Sequence, residues 1–325
     1  MSIDICQSYC QKCIYVGKYN AQKCLENGFN ISMMNRFREN RIRIKRQKVF
    51  YNITICLTGN KKKIIVEADS QSLVQDMYYI IMEILRFENL FEGLFYSVTE
   101  FWADEIDCLK EIKDIQLAYY ESTKQYTYFE IDFSDKVYKS YYSKWLKREK
   151  KNRLIHPVFL FSTYLEGMPV DLRLAILLEI FEPLAEELHN RGEIVLVKEP
   201  FITYHNKCKN CGAYVSRKDK NKKLSFNDKI KPLIKKYGKI IFEDDNRKKL
   251  VEKSIKIRNK IDHVNVDTKN VLSGEQCGVY LYKYSLLYRY IVLLDIGIDS
   301  SQIEPAMKLW LDYFNHKYKL FMICK

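Results

Sequence analysis

One short segment of the chain carries side chains that could bind a phosphate and move protons. Arg258, Asn259 and His263 lie within six consecutive positions. A histidine, whose unperturbed pKa is near 6.5, exchanges protons at neutral pH, and an arginine can hold a phosphate through two parallel hydrogen bonds. Asn259 could fix the tautomer of the imidazole or contact the phosphate. The alternative for His263 is that it stabilises the C-terminal end of a helix dipole.

A helix with three distinct faces must position this segment. The predicted helix runs from Asp244 or Asp245 to His263, and a spacing of about 100° per residue gives it a core stripe, a basic edge and a mixed face. The core stripe consists of Leu250, Ser254, Ile257 and Ile261. The basic edge, which we expect to contact phosphates, consists of Lys249, Lys253, Lys256 and Lys260. The mixed face holds Val251, Ile255, Arg258, Asn259, Asp262 and His263.

The residues on the mixed face of this helix predict that the chain associates with a second copy of itself. Arg258 and His263 point about 140° apart on one ideal helix. Two helices that face each other would bring these side chains onto one phosphate more easily. Val251 and Ile255 are apolar although they lie off the core stripe. We therefore expect a homodimer in which the two helices pack across a two-fold axis.

The positive charge of the protein is concentrated around the same segment. The 325 residues include 54 Lys and Arg and 41 Asp and Glu, which gives a net charge of +13. Residues 207–260 hold 19 of the basic and 6 of the acidic residues and therefore carry the whole excess. Such a segment suits a phosphate-rich partner, because neutralised phosphates release their counterions. A solvated lysine-rich surface is the alternative.

Two cysteine pairs have the spacing of zinc ligands. Cys10 and Cys13 form one Cys-x2-Cys pair, and Cys208 and Cys211 form another. Each pair could supply two thiolates, and the two pairs could complete one tetrahedral structural zinc site. The alternative is that the four residues are unrelated buried or surface thiols.

The composition excludes several classes of protein. Hydrophobic residues make up 47% of the chain and aromatic residues 14%, which excludes a largely disordered protein. No apolar run approaches the roughly 20 residues that cross a bilayer, and the first residues lack the pattern of a secretory signal. We therefore expect a cytoplasmic protein with no membrane partner and with reduced cysteines.

The first part of the chain mixes strand and helix patterns. Val49–Thr58 and Lys62–Ala68 are β-branched runs separated by Gly59-Asn60, which predicts a hairpin. A helix should follow over Ser70–Phe91, because its apolar residues share one face. Residues 1–35 are rich in cysteine and predict no element.

The rest of the chain reads as a series of amphipathic helices. Pro169 opens a long apolar stripe, and Ser225 and Asp228 have the spacing of a capping box. The basic stretch Ser143–Asn152 predicts a domain boundary before these helices. We expect an α+β protein, with a mixed α/β region over residues 1–150 that could act as a sensor and an all-α bundle over residues 151–325.

The segment Arg258–His263 matches the Arg-polar-x3-His signature of the HEPN superfamily, small helical bundles that often act as ribonucleases. About residues 160–300 resemble the C-terminal HEPN domain of ApeA-type anti-phage proteins. This resemblance also rests on Leu172–His189, Leu224–Gly238 and Leu293–Ile298. Leu73–Gly93 is loosely similar to the region that precedes this domain in the same family.

The resemblance implies a metal-independent endoribonuclease. The 2′-hydroxyl of RNA would attack the adjacent phosphate and leave a cyclic phosphate and a 5′-hydroxyl. Arg258, Asn259 and His263 would be catalytic at a dimer interface, the four lysines of the basic edge would bind RNA, and tRNA is a candidate substrate. The family also implies a toxic role in abortive infection, with a phage-derived or other activator. Catalysis would need no cofactor, so any zinc would be structural.

A second hypothesis belongs to a different functional class. A HEPN domain without catalytic activity could dimerise and bind nucleic acid or a partner protein. The intact Arg-Asn-x3-His signature favours catalysis, because a degenerate signature would favour binding alone. A zinc-containing nucleic-acid-binding protein would explain the charge but not the motif helix.

Overall fold

The computed structural model describes residues 7–18, 37–93, 96–115, 129, 133–164, 167–197, 201–207, 211–212, 214–220, 224–243, 245–263 and 272–318. The chain forms two compact units. Unit 1 comprises residues 1–168 and 289–313, and unit 2 comprises residues 169–288 and 314–325. The predicted α+β fold class is confirmed, because a six-stranded sheet occurs together with many helices.

Unit 1 is built on an antiparallel sheet. Its strands are β1 (Tyr9–Lys18), β2 (Phe37–Arg46), β3 (Val49–Thr58), β4 (Lys61–Leu73), β5 (Ser97–Ala103) and β6 (Ile106–Asp107). They lie in the order β2-β3-β4-β1-β5-β6, and all neighbours are antiparallel. The helices that begin and end within this unit are α1 (Val74–Glu92), α2 (Leu109–Ile115), α3 (Asp135–Lys151) and α4 (Ile155–Tyr164).

Local signals predicted part of this sheet. The hairpin at Gly59-Asn60 is confirmed as the β3–β4 connection, and Gly59 has the positive φ of 58° that suits glycine. Helix α1 is also confirmed, but it begins at Val74 because β4 continues through Leu73. The strand β1 was not predicted. It pairs with both β4 and β5, and such distant partners leave little trace in the local sequence.

A buried cluster of charges joins the sheet to α1. Lys62 Nζ on β4 contacts the carboxylates of both Glu88 and Glu92 on α1, and all three side chains are at most 1% exposed. Arg38 on β2 contacts Glu88 as well, and the Tyr138 hydroxyl donates to Glu88 Oε1 at 3.0 Å. Charges taken out of water are tolerated only with such partners. The cluster therefore fixes the position of α1 on the sheet.

Unit 2 is mainly helical. Its elements are α5 (Val170–Glu179), α6 (Phe181–Asn190), β7 (Phe201–Lys207), β8 (Tyr214–Lys220), α7 (Phe226–Tyr237) and α8 (Arg247–His263). Two further helices, α9 (Gly274–Asp295) and α10 (Ser300–Tyr318), each have residues in both units.

The prediction of an all-α region over residues 151–325 is wrong in one place. Strands β7 and β8 pair antiparallel as a separate two-stranded sheet. The β-branched and aromatic residues of Phe201–Tyr204 are typical of a strand, but the nearby cysteines had suggested a metal-binding turn instead. The helices on both sides of the hairpin are as expected.

Other boundaries follow the sequence signals closely. The capping box of Ser225 and Asp228 is confirmed, because each residue accepts a hydrogen bond from the backbone of the other. Gly238 ends the same helix. The stretch 143–152, which had suggested a linker, lies mostly inside α3, and the division between residues 150 and 151 stays a prediction. Within the described residues, no helix is long and apolar enough to span a bilayer.

We predict that Lys62→Met lowers the free energy of unfolding of unit 1 by about 3–5 kcal/mol, because Glu88 and Glu92 would lose their buried cation. The control is Lys63→Met, since Lys63 is exposed on the same strand and its loss should change the stability by less than about 0.5 kcal/mol. Urea unfolding followed by circular dichroism measures both. Equal urea midpoints for the two variants would contradict the role given to the cluster.

Candidate functional site

The start of helix α8 is fixed by a buried ion pair. Asp245 accepts a hydrogen bond from Lys283 Nζ at 2.6 Å and another from the Tyr280 hydroxyl. Neither the Asp245 nor the Lys283 side chain is exposed. Asn246 then caps the helix, because its Oδ1 accepts from the backbone nitrogen of Lys249 at 3.2 Å. These contacts hold the first turn of α8 against α9.

The core stripe predicted for α8 is confirmed for the side chains that the structure describes. Leu250, Ser254 and Ile257 are all buried. The Ser254 hydroxyl donates to the Leu250 carbonyl at 2.9 Å and lies 2.7 Å from the hydroxyl of Tyr284. Burial raises the pKa of Tyr284, so its hydroxyl keeps its proton in this contact. One face of α8 is therefore held in a defined rotation.

The burial of Val251 contradicts one expectation about the mixed face of α8. The sequence suggested that Val251 and Ile255 were left for a second subunit, but Val251 is only 3% exposed within the single chain. Helix α8 packs against both α5 and α7. Its buried surface is therefore wider than the core stripe that the sequence predicted. Ile255 remains half-buried. The apolar evidence for a dimer on this face is therefore reduced to Ile255.

Arg258 is held by two carboxylates. Its Nε donates to Glu179 Oε1 at 2.6 Å and its Nη2 to Glu179 Oε2 at 3.2 Å. The same Nη2 lies 2.6 Å from Glu182 Oε1. The guanidinium carbon also lies 5.0 Å from the centre of the Phe226 ring, within the range of a cation–π contact. We call these four residues, Arg258, Glu179, Glu182 and Phe226, the arginine clamp.

The clamp depends on the break between α5 and α6. Glu179 is the last residue of α5 and Glu182 is the second residue of α6, with Ile180 as the junction. Pro183 follows, and because proline has no N–H it cannot donate the helical hydrogen bond to the Glu179 carbonyl. The apolar stripe that begins after Pro169 is therefore divided into two helices. Each helix contributes one carboxylate to Arg258.

A second cation, Lys229, shares one carboxylate of the clamp. Lys229 Nζ lies 2.6 Å from Glu182 Oε2 and 2.7 Å from Glu186 Oε1. Burial alone would lower the pKa of Lys229, but hydrogen bonds to Glu182 and Glu186 raise it above its usual value. Glu182 thus bridges Lys229 and Arg258. A phosphate that reaches Arg258 must compete with carboxylates already bound to it.

The lysines of the predicted basic edge are only partly described. Lys249 and Lys256 are exposed, and Lys253 is half-buried. The backbone of Lys260 belongs to α8, but its side chain lies outside the described part of the structure. The exposed members are available to a nucleic-acid backbone, and their role in binding stays a prediction.

The other motif residues, Asn259 and His263, lie in the last part of the same helix. Asn259 is exposed. His263 is the last residue of α8, and its side chain is outside the described residues. The alignment of Arg258 and His263 on one phosphate therefore stays a prediction, as does the dimer that would bring it about.

Sequence reasoning missed the partners of Arg258. Glu179 and Glu182 interrupt a segment that otherwise reads as an apolar stripe, and two acidic residues three positions apart could have signalled a bound cation. Their distance of about 80 positions from Arg258 hid the pairing. Phe226 gave no signal beyond its place at the start of a helix.

The cysteine pairs have different surroundings. Cys10 and Cys13 are buried on β1 with their sulfur atoms 3.4 Å apart, and the hydrogen bond between the two sulfur atoms, together with burial, raises the pKa of the Cys13 thiol. Cys211 is exposed, and Cys208 lies outside the described residues. Among the residues that the structure describes, no group of three or more His, Cys, Asp or Glu side chains could hold a metal ion. Structural zinc stays a prediction.

We predict that Asp245→Asn lowers the free energy of unfolding of unit 2 by about 3–5 kcal/mol, because Lys283 would keep a buried charge without its partner. Glu243→Gln removes the same charge from an exposed position two residues earlier and should have little effect. The double variant Asp245→Asn with Lys283→Met should recover part of the loss. An unchanged urea midpoint in Asp245→Asn would contradict the anchoring role of the pair.

The motif helix lies within a segment that is similar to a known protein family. Residues 177–302 match the family model described as Apea-like HEPN, a range that includes the whole of α8 and of α9. A search of curated proteins found no match, and a search of solved structures found none either. The resemblance of this part of the chain to the HEPN domain of ApeA-type proteins is therefore confirmed over residues 177–302.

Proposed function

We propose that this protein is a metal-independent endoribonuclease that cleaves RNA in anti-phage defence. The observation that carries this proposal is the intact Arg258-Asn259-x3-His263 series, which lies within the segment that matches the Apea-like HEPN family. A domain used only for binding would not need an arginine and a histidine at this spacing. The test is to incubate the purified protein with total tRNA and to map the ends of the products.

The proposed reaction is an internal transfer at one phosphodiester. His263 accepts the proton of the 2′-hydroxyl, the 2′ oxygen forms a bond to the adjacent phosphorus, and the bond from phosphorus to the 5′ oxygen breaks. The corresponding histidine of a second copy donates a proton to the leaving 5′ oxygen. The products are a cyclic phosphate and a 5′-hydroxyl. Arg258 stabilises the charge that develops on the non-bridging oxygens.

The basic edge of α8 supplies the contacts to the RNA backbone in this proposal. Lys249 and Lys256 are exposed and lie on one edge of the helix. Lysine contacts to phosphates release counterions, so binding should weaken steeply as the salt concentration rises. These contacts orient the RNA without selecting its sequence. The choice of tRNA or another RNA would then depend on the shape of the substrate.

The arginine clamp gives the proposed enzyme a resting state. Glu179 and Glu182 occupy the hydrogen-bonding groups of Arg258 that a phosphate would use. An RNA phosphate must displace at least one carboxylate, so cleavage is slow until the clamp opens. Activation by a phage-derived or other trigger would then act by separating Arg258 from these carboxylates. Such restraint suits an enzyme whose activity is toxic to its host.

The same contacts support a second candidate function. Arg258 ties α8 to both α5 and α6 through Glu179 and Glu182, which would suffice for a purely structural role. In that case the domain would dimerise and bind nucleic acid or a partner protein without cleaving RNA. Cleavage assays on motif variants distinguish the two functions.

We predict that Arg258→Ala and His263→Ala each reduce RNA cleavage by at least about 100-fold, because each removes a group that acts on the reacting phosphate. Arg247→Ala is the matched control, since Arg247 lies in the exposed first turn of the same helix, and it should keep activity within about three-fold. EDTA should not reduce cleavage by the folded wild-type protein. Full activity in a well-folded His263→Ala protein would rule out the proposed mechanism.

We also predict that Glu179→Gln strengthens RNA binding, because it weakens the competitor for Arg258. The half-exposed pair is worth roughly 1 kcal/mol, so the dissociation constant should fall about five-fold. Binding is measured in the His263→Ala background, where RNA is not cleaved. Glu186→Gln is the control, because Glu186 contacts Lys229 but is not a partner of Arg258 in the clamp. Equal affinities in the two variants would show that the clamp does not restrain binding.

The proposed active species is a homodimer formed through α8. We predict that Ile255→Glu gives a folded monomer whose cleavage activity falls at least about 100-fold, since a charge at a half-buried interface position prevents association. Sedimentation velocity and the cleavage assay measure the two effects. A folded Ile255→Glu monomer that still cuts RNA would mean that each chain carries a complete site.

A further inference from the structure

Unit 1 contains a cavity that the proposed cleavage reaction does not use. Its volume is about 590 Å³, and it is bounded by the β2–β3 hairpin, α1, α3, α4 and Arg153 of the α3–α4 connection. Sites for small molecules usually fall between roughly 300 and 1,000 Å³. The cavity is therefore large enough for a compact organic molecule.

Positive charge predominates on the walls of this cavity. Its cationic side chains are Lys45, Arg46, Arg86, Lys150 and Arg153, and its acidic side chains are Asp76, Glu83 and Glu149. Arg46 forms an ion pair with Glu83, which leaves four cations and two carboxylates. Local potentials of this sign attract anions into a cleft.

Glu149 reduces the attraction of the cavity for anions only weakly. Burial raises the pKa of Glu149 to about 7, against the lowering effect of Arg148 and Arg86. A large fraction of the molecules therefore carries a neutral carboxyl group at this position near neutral pH. The excess of positive charge in the cavity rises further when Glu149 is protonated.

Two hydrogen-bond donors on the lining residues have no partner in the part of the chain that the structure describes. Arg86 Nε and Trp145 Nε1 are buried and form no hydrogen bond with the described residues, and both residues line the cavity. A buried donor left unsatisfied costs about 1–3 kcal/mol. Because neither atom is exposed, an anion in the cavity could offset that cost only if the side chains around it rearrange.

The cavity also has a planar, apolar component. Tyr79 lines it with a side chain that is 51% exposed, and its hydroxyl is held by Gln75 Nε2 at 3.0 Å. Ile44, Leu146 and Pro157 add aliphatic side chains to the lining. An exposed aromatic ring beside arginines suits a ligand that joins a planar ring to an anion.

We propose that this cavity binds a small phosphorylated ligand with a planar ring, the chemistry of a nucleotide. The cations of the lining hold the phosphate, and the ring lies against Tyr79 and the apolar wall. Both a free mononucleotide and the 5′-phosphorylated end of a short oligonucleotide have this chemistry. The proposal gives unit 1 a binding function that does not depend on the cleavage activity proposed for unit 2.

The experiment is calorimetric titration of the full-length His263→Ala protein, in which RNA cleavage cannot interfere. The probes are adenosine 5′-monophosphate and guanosine 5′-monophosphate, a 5′-phosphorylated dinucleotide, inorganic phosphate and adenosine. We expect at least one of the nucleotides to bind at least ten-fold more tightly than inorganic phosphate or adenosine. Tighter binding of the mononucleotides identifies a free nucleotide as the ligand, and tighter binding of the dinucleotide identifies a nucleic-acid end.

Variants of the lining locate the binding. Arg86→Gln and Arg153→Gln should each weaken nucleotide binding at least ten-fold, whereas Glu149→Gln should strengthen it about three-fold by removing an opposing charge. Lys147→Gln is the matched control, because Lys147 is exposed on α3 and does not line the cavity, and its affinity should stay within two-fold. Thermal unfolding checks that each variant is folded.

Three outcomes would overturn the proposal. The first is that no nucleotide binds at millimolar concentration, either to the protein with Glu149 or to the Glu149→Gln variant. The second is that nucleotides bind but the lining variants change their affinity no more than Lys147→Gln does. The third is that inorganic phosphate binds as tightly as the nucleotides, which would remove the role of the planar ring.

Discussion

The buried ion pair between Asp245 and Lys283 is the contact on which the arrangement of the HEPN segment depends. By this name we mean residues 177–302, which match the HEPN family model. Both side chains are fully removed from solvent, so each charge is tolerable only because the other is present. The pair fixes where α8 begins, and the contact between Ser254 and Tyr284 fixes its rotation two turns later. Arg258 lies one further turn along the same helix. The position of Arg258 is therefore set in part by contacts that earlier turns of α8 make with α9.

Around the same helix, two cations share one carboxylate. Glu182 is shared by Arg258 and Lys229, and Glu179 binds the guanidinium of Arg258 through both of its oxygens. This arrangement stabilises the bundle and at the same time occupies the group that would bind a phosphate. In the proposed enzyme, stability and activity would therefore make opposite demands on Arg258, as is common where function depends on a charged group. The break at Pro183 makes the arrangement possible, because it allows two successive helices to reach the same arginine.

Much of the secondary structure could be predicted, because its signals are local. The capping box of Ser225 and Asp228, the turn at Gly59-Asn60 and the extent of α8 all depend on residues a few positions apart. The strand β1 and the acidic partners of Arg258 could not be predicted, since each depends on residues that are distant in the chain. A helix wheel likewise misplaced Val251, because it does not show how many neighbours surround a helix. The sequence therefore supplies the motif residues as a hypothesis, whereas the contacts of Arg258 with Glu179 and Glu182 are visible only in the structure.

Unit 1 takes residues 289–313 from a point in the chain that follows most of the HEPN segment. Arg289 donates to the carbonyl oxygens of Leu90 and Phe91 at 2.9 Å each, and Asp295 forms an ion pair with Arg148. During synthesis on the ribosome, unit 1 must therefore wait for these late residues before its buried groups are satisfied. A nonsense mutation that removes the HEPN segment also removes Arg289 and Asp295. Such a truncation would leave a first unit that is incompletely folded and open to degradation, rather than a surviving fragment that keeps its cavity.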